Sequence, residues 1–360
     1  MIADRKDKKN LISLMENALL VGLLFSIVVT SAWFFFESVG TRMLAFVILS
    51  TSVVILILKL LFNLVMDRIK CSNMKLADGL FIVFAVLAFA AATISALGAA
   101  LLFLPNTDKK AYQSLLEIEQ AEELAIESEH GTFTGWFVHH TKKNAPLVLY
   151  FGGNGENASR RIKWLMEPEQ ENIYSIFEGY HFAYIDYPSY GTSSGTASEK
   201  SLKQYGLAVY DNLIAREDVS NIVVMGYSLG TGVANYVASQ RQPAGMILMA
   251  PYANGYDLYN NYLNIFYGPL KMLVSFSMRA DKFAEKVNIK PLILASQADK
   301  DVPYESAAAL FQAYKKGCNF VTIDDIEHGE FWGNEEVLSE IKKYLGTLEV
   351  GASLSGSTSR

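Results

Sequence analysis

The sequence predicts an α/β architecture: a mostly parallel central sheet with helices on both faces and a helical cap insertion, preceded by three transmembrane helices. Three observations carry this expectation. Short apolar strands alternate with helical stretches from Gly131 onward. Gly226-Tyr227-Ser228-Leu229-Gly230 stands between one of those strands and a helix. Three long apolar runs fill the N-terminal part of the chain.

Composition narrows the classes first. The 360 residues are 51% hydrophobic and the net charge is −6, so no basic footprint for a nucleic-acid partner exists. Cys71 and Cys318 are the only cysteines, and no Cys/His cluster has metal-ligand spacing. Neither a disulfide framework, a metal nor a cofactor is expected. Mean hydropathy is positive, and its source is the front of the chain.

Residues 1–104 read as the membrane region. The runs Ala18–Phe36, Met43–Met66 and Gly79–Leu104 each reach the ~20 residues that cross a bilayer as a helix. Lys59 lies near the end of the second run, where its stem can snorkel to the interface. Trp33 and Phe34 to Phe36 close the first run as an aromatic belt. Arg5, Lys6, Lys8 and Lys9 precede the first run, and Arg68, Lys70 and Lys75 follow the second, against Arg42 alone between the first two. Positive charge stays inside, so the N-terminus is expected in the cytoplasm and everything after Leu104 outside it.

Residues 105–130 form an acidic junction in which Glu117, Glu119, Glu122, Glu123, Glu127 and Glu129 alternate with apolar residues. It reads as a solvated amphipathic linker or a first strand. The globular domain is expected over 131–348 and a small, polar, disordered tail over 349–360. Strands are expected at Thr132–His139, Leu147–Phe151, Phe182–Ile185, Asn221–Met225, Gly245–Ala250, Leu292–Ala295 and Phe320–Ile323, with helical stretches between them. The insertion 251–290 is Tyr-rich and mainly helical, in the position of a cap. Asn157-Ala158-Ser159 is a glycosylation sequon, read as a chance match on a helix.

Strand, G-x-S-x-G and helix in succession are what a nucleophile elbow requires. Glycines two residues either side of Ser228 remove Cβ clashes, and the hydroxyl then stands at a helix N-terminus. An alcohol needs a base. Of the five histidines, His130 and His181 precede strands and His139 and His140 end an early one, whereas His328 follows the last strand. The base needs a carboxylate, and Asp299 follows Leu292–Ala295, with Asp301 as its rival. Oxyanion donors are expected from the backbone N–H of Leu229 and, on the Gly-rich loop Gly152-Gly153-Asn154-Gly155, of Asn154. That loop lacks the endings that bind nucleotide phosphates.

Together these motifs resemble the α/β-hydrolases, and within them the membrane-anchored branch of lysophospholipid lipases and protein depalmitoylases. The shared marks are Gly152–Gly155, Asp186-Tyr187-Pro188-Ser189-Tyr190-Gly191, the elbow, Asp299-x-x-Val302-Pro303 and His328-Gly329. The family's His-Gly-Asn is here Gly152-Gly153-Asn154, and its Asp-Tyr-Arg-Gly is Asp186-Tyr187-Pro188-Ser189. The resemblance implies a membrane-anchored serine hydrolase acting on esters or thioesters, with membrane lipids or acylated molecules as its partners. A serine peptidase of the same fold and a non-catalytic membrane scaffold are the alternatives.

Overall fold

The computed structural model describes residues 51–59, 62, 74–139 and 144–356. They fall into two compact units, Met1–Leu102 with Pro269–Ser275, and Phe103–Gly268 with Phe276–Arg360.

In the first unit, 51–59 is helical and helix α1 runs from Met74 to Leu102. On α1 the apolar residues Leu80, Val83, Phe84, Val86 and Leu87 are at least half exposed, while Ile82 and Ala85 are buried. No helix is long and apolar enough to cross a membrane among the described residues. The first expected span lies outside the described residues, and so do parts of the second. Lys59 pairs with Asp78 of α1 at 2.9 Å.

The second unit is built on an eight-stranded sheet ordered β1-β2-β4-β3-β5-β6-β7-β8. The strands are β1 Ala121–Ser128, β2 Gly131–Val138, β3 Ala145–Phe151, β4 His181–Ile185, β5 Val219–Tyr227, β6 Gly245–Met249, β7 Leu292–Ser296 and β8 Asn319–Ile323. β1 and β2 pair antiparallel, β2 joins β4 antiparallel, and every other pairing is parallel. β4, β6 and β7 are buried at every position. Strands covered on both faces read as unbroken apolar runs, which is why they are plain in the sequence. The acidic junction supplies β1, an edge strand with only Ile126 buried. Glu123 and Glu127 are exposed while Glu122 pairs with His139 and Arg216, and the strand alternative for this stretch is the one the chain adopts.

Helices α2 (Ala158–Leu165), α3 (Glu199–Ile214), α4 (Leu229–Gln240), α5 (Tyr304–Ala313) and α6 (Glu335–Gly356) connect or follow the strands. The insertion 251–290 carries short helical pieces only, at Gly255–Tyr262, Gly268–Leu273 and Ala280–Ala284. The tail expected to be disordered from 349 continues α6 as far as Gly356. Extending an existing helix costs far less than nucleating one, and Ala352 and Leu354 favour it.

The winding reverses after β4, so β3 and β5 are neighbours, with Phe151 opposite Gly226 in the ladder. The loops leaving these two strands therefore meet at the carboxyl edge of the sheet. This is where doubly wound sheets place ligands.

Candidate active site

Ser228 caps α4 with φ +50° and ψ −119°, in the left-handed region that disfavours a side chain. Holding a non-glycine residue there costs ~1–3 kcal/mol. The surrounding contacts enforce it. A Cβ on Gly226 would come within 2.7 Å of the Gly230 carbonyl oxygen, and one on Gly230 within 2.0 Å of that of Phe151. The two glycines let α4 start directly above β3 and β5. The Ser228 N–H donates to the Met249 carbonyl at 3.0 Å. On the other side of the turn, the Thr231 N–H and hydroxyl donate to the Ser228 carbonyl.

The Ser228 Oγ lies 2.9 Å from His328 Nε2, and His328 Nδ1 lies 2.8 Å from Asp299 Oδ2. The second Asp299 oxygen accepts the N–H groups of Asp301 and Val302, each at 2.9 Å. Its carboxylate is thus fully engaged and its side chain is 2% exposed. Of the two rival aspartates, the fold brings Asp299 to the imidazole, whereas Asp301 is exposed. The reason is local. Asp299 sits at the head of a tight turn whose N–H groups point back at its side chain, an arrangement open to only one of the pair.

Neighbouring residues hold the two loops together. The buried Ser296 hydroxyl donates to the Ile326 carbonyl at 2.7 Å and accepts the Ala298 N–H, tying the end of β7 to the loop after β8. Tyr227 stacks on the His328 ring with centroids 5.2 Å apart and 23° between planes, and its hydroxyl donates to the His328 carbonyl. Burial pushes the Tyr227 phenol up, which keeps it protonated as a donor. Phe331 and Trp332 anchor the segment after His328 in the core.

The loop after β3 is braced from below. The Glu156 carboxylate accepts the Gly153 N–H at 3.2 Å and the Tyr150 hydroxyl at 2.8 Å, and pairs with Arg161. Arg161 lies between Trp164 and Trp332, about 5 Å from each ring. A Cβ on Gly152 would come within 2.6 Å of Glu156 Oε2 and 2.0 Å of the Tyr184 hydroxyl. The carboxylate and the phenol therefore fill the space next to the position where the family pattern has histidine. The N–H of Leu229 is the first of α4 and has no partner within its helix. The Asn154 N–H likewise donates to no protein acceptor among the described residues. Sequence reasoning missed the Glu156 and Arg161 brace and the role of Tyr227: Glu156 and Arg161 are near neighbours that form no motif, and Trp332 and His328 lie far along the chain from Arg161 and Tyr227.

The remaining sequence candidates resolve individually. His139 pairs with Glu122 at 2.7 Å and the His181 ring contacts the Asp218 carbonyl. His130 lies beside Glu129, and His140 is outside the described residues. The sequon residue Asn157 is buried, caps α2 through the Arg160 N–H and donates to the Asn106 carbonyl. Within the insertion, Tyr252, Phe276 and Met278 are buried, while Tyr262, Leu263, Tyr267, Leu270 and Met272 are exposed.

Comparison with known proteins agrees with this architecture. A family model described as TAP-like protein, of the α/β-hydrolase type, matches residues 274–356. Human Protein ABHD12B is 30% identical over 197 residues, 49% of this chain and 52% of that protein. The rat lysophosphatidylserine lipase ABHD12 is 30% identical over 128 residues, 33% of this chain and 30% of that one. The chain thus spans about half of the first relative and less of the second. The Est1E structure from Butyrivibrio proteoclasticus with bound ferulic acid superposes with a TM-score of 0.52 and 18% identity, covering 63% of this chain and 99% of Est1E. The sheet order, the strained serine at the head of α4 and these likenesses lead to one assignment: the chain has the α/β-hydrolase fold, and its sequence is similar to lipases of that fold.

Proposed function

We propose that the chain is a membrane-anchored serine hydrolase that cleaves carboxylic esters or thioesters, with lipids or acylated molecules as substrates. The observation that carries this reading is the hydrogen-bonded series Ser228, His328, Asp299 at the head of α4. Its spacings lie within the reach of about 2.6–3.2 Å that proton transfer needs.

In this reading His328 Nε2 takes the Ser228 proton as Oγ attacks the acyl carbon. Asp299 holds the ring in the tautomer that leaves Nε2 free and stabilises the imidazolium that forms. The N–H groups of Leu229 and Asn154 receive the oxyanion. His328 then gives its proton to the leaving oxygen or sulfur, leaving an acyl-Ser228 ester. Water repeats the sequence, with His328 again as base, and releases the acid and free Ser228.

Two features favour substrates met at a membrane. The exposed apolar residues of α1 continue a sequence with three runs of spanning length, which supports anchoring with the N-terminus in the cytoplasm and the catalytic unit outside it. The exposed Leu263, Leu270 and Met272 of the insertion suit contact with apolar chains. A relative is a lysophosphatidylserine lipase, which agrees with a lipid ester.

The test is turnover by the purified full chain against long-chain lipid esters, acyl thioesters and amino-terminal peptide substrates. Ester or thioester cleavage that disappears in Ser228→Ala is expected. Peptide cleavage alone would replace this reading with a peptidase, and Ser228-independent turnover would remove the serine mechanism.

A further inference from the structure

The segment that leaves the apolar helix runs along the loop after β3. Helix α1 ends at Leu102. Two residues later the Leu104 N–H donates to the Asn154 side-chain oxygen at 2.9 Å. The Tyr190 hydroxyl donates to the same oxygen at 3.0 Å. Asn106 Nδ2 donates to the Gly155 carbonyl at 3.1 Å, and the Asn106 carbonyl accepts the Gly191 N–H and Asn157 Nδ2 at 2.9 and 3.0 Å. Phe103 packs edge-on against the buried Phe276, with ring centroids 5.6 Å apart.

We propose that Phe103–Asn106 is a positioning element of the site, holding the loop Gly152–Gly155 so that the Asn154 N–H faces the reacting carbonyl. The inference rests on the reading of Asn154 as an oxyanion donor. Its physical basis is that the loop is Gly-rich and held by separate point contacts, among them the Tyr187 hydroxyl donating to the Gly152 carbonyl at 2.7 Å, of which the exit segment supplies those at Asn154 and Gly155 beside the Tyr190 hydroxyl. The Glu156 brace grips Gly153 from one side. The Leu104 and Asn106 bonds grip Asn154 and Gly155 from the other. Displacing a donor by about 1 Å costs up to ~100-fold in rate. The element that delivers this precision is the segment Phe103–Asn106, the first stretch of its own compact unit.

The test compares full-length Leu104→Pro, which deletes the donor N–H, with Leu104→Ala, which keeps it at a largely exposed side chain. Two quantities are read: hydrogen exchange at 152–155, and kcat and KM for p-nitrophenyl butyrate. Leu104→Pro is expected to exchange faster in the loop and to lose about tenfold in kcat with KM within about twofold. Leu104→Ala is expected to match the wild type. If Leu104→Pro does not fold, Asn106→Asp removes the donor to Gly155 and is expected to act in the same direction. Unchanged exchange in the loop, or a change in KM at constant kcat, overturns the proposal. A wild type without Ser228-dependent turnover overturns the proposed function instead, and the exchange measurement still decides whether the exit segment holds the loop.

Discussion

Asp299 and Asp301 stand two residues apart, and only the fold separates them. Asp299 turns both oxygens inward, one to His328 and one to two N–H groups, whereas Asp301 contributes a backbone donor and keeps its side chain in water. Asp299→Asn should therefore lose kcat by ~10⁴-fold, because an amide cannot hold the imidazole in the working tautomer. Asp301→Asn should change it by less than about tenfold. Steady-state kinetics on the two variants decides the matter, and the reverse ranking would move the acid to Asp301. Gly230→Ala tests the elbow. Its Cβ would meet main-chain oxygen rather than a movable side chain, so a loss of about 1–3 kcal/mol in unfolding free energy is expected. An unperturbed denaturation midpoint would show that α4 has room to retreat.

Helix α2 starts just after the loop Gly152–Gly155, and its first N–H, that of Ala158, donates to Asp186 Oδ1 at 2.8 Å. Burial pushes the Asp186 carboxyl up to about 7 from its ordinary 3.8, with the Ala158 bond opposing. A folded-state value raised in this way means that the native protein holds the proton more tightly than the unfolded chain does. The associated stability is complete below about pH 4 and is lost as pH rises through about 7. Asp186→Asn removes that dependence. Its melting temperature relative to the wild type should therefore be higher at pH 8 than at pH 5, by an amount reflecting a few kcal/mol at most. An equal offset at both pH values would show that the carboxyl is ionised throughout. The contrast with what the sequence discloses is instructive. The fully buried strands and the elbow are legible because burial on two faces writes an unbroken apolar run, and because the turn demands glycine at fixed spacing. Edge strand β1 is legible only as one of two alternatives, since the acidic residues on its exposed positions suit a linker as well as a strand. The Glu156, Arg161 and Trp332 brace is not legible, because Arg161 of α2 and Trp332 of the segment after β8 come together only once the sheet is wound.

For the molecule as a whole, the expected arrangement is an apolar N-terminal part in the bilayer and a hydrolase unit outside the cytoplasm. Alkaline carbonate should leave the chain in the membrane pellet. Protease added to intact cells should cut the region after Leu104, and an uncut domain would reverse the topology. The exposed apolar face of α1 belongs to this scale, since apolar surface is costly in water and ordinary against lipid. The central claim is that Ser228 is an activated nucleophile with His328 as its base. Fluorophosphonate labelling of membranes containing wild type, Ser228→Ala or His328→Ala tests it most directly. Labelling of the wild type, abolished in Ser228→Ala and lost or strongly slowed in His328→Ala, is the predicted result. A folded wild type that takes no label, or label that persists in Ser228→Ala, would contradict it.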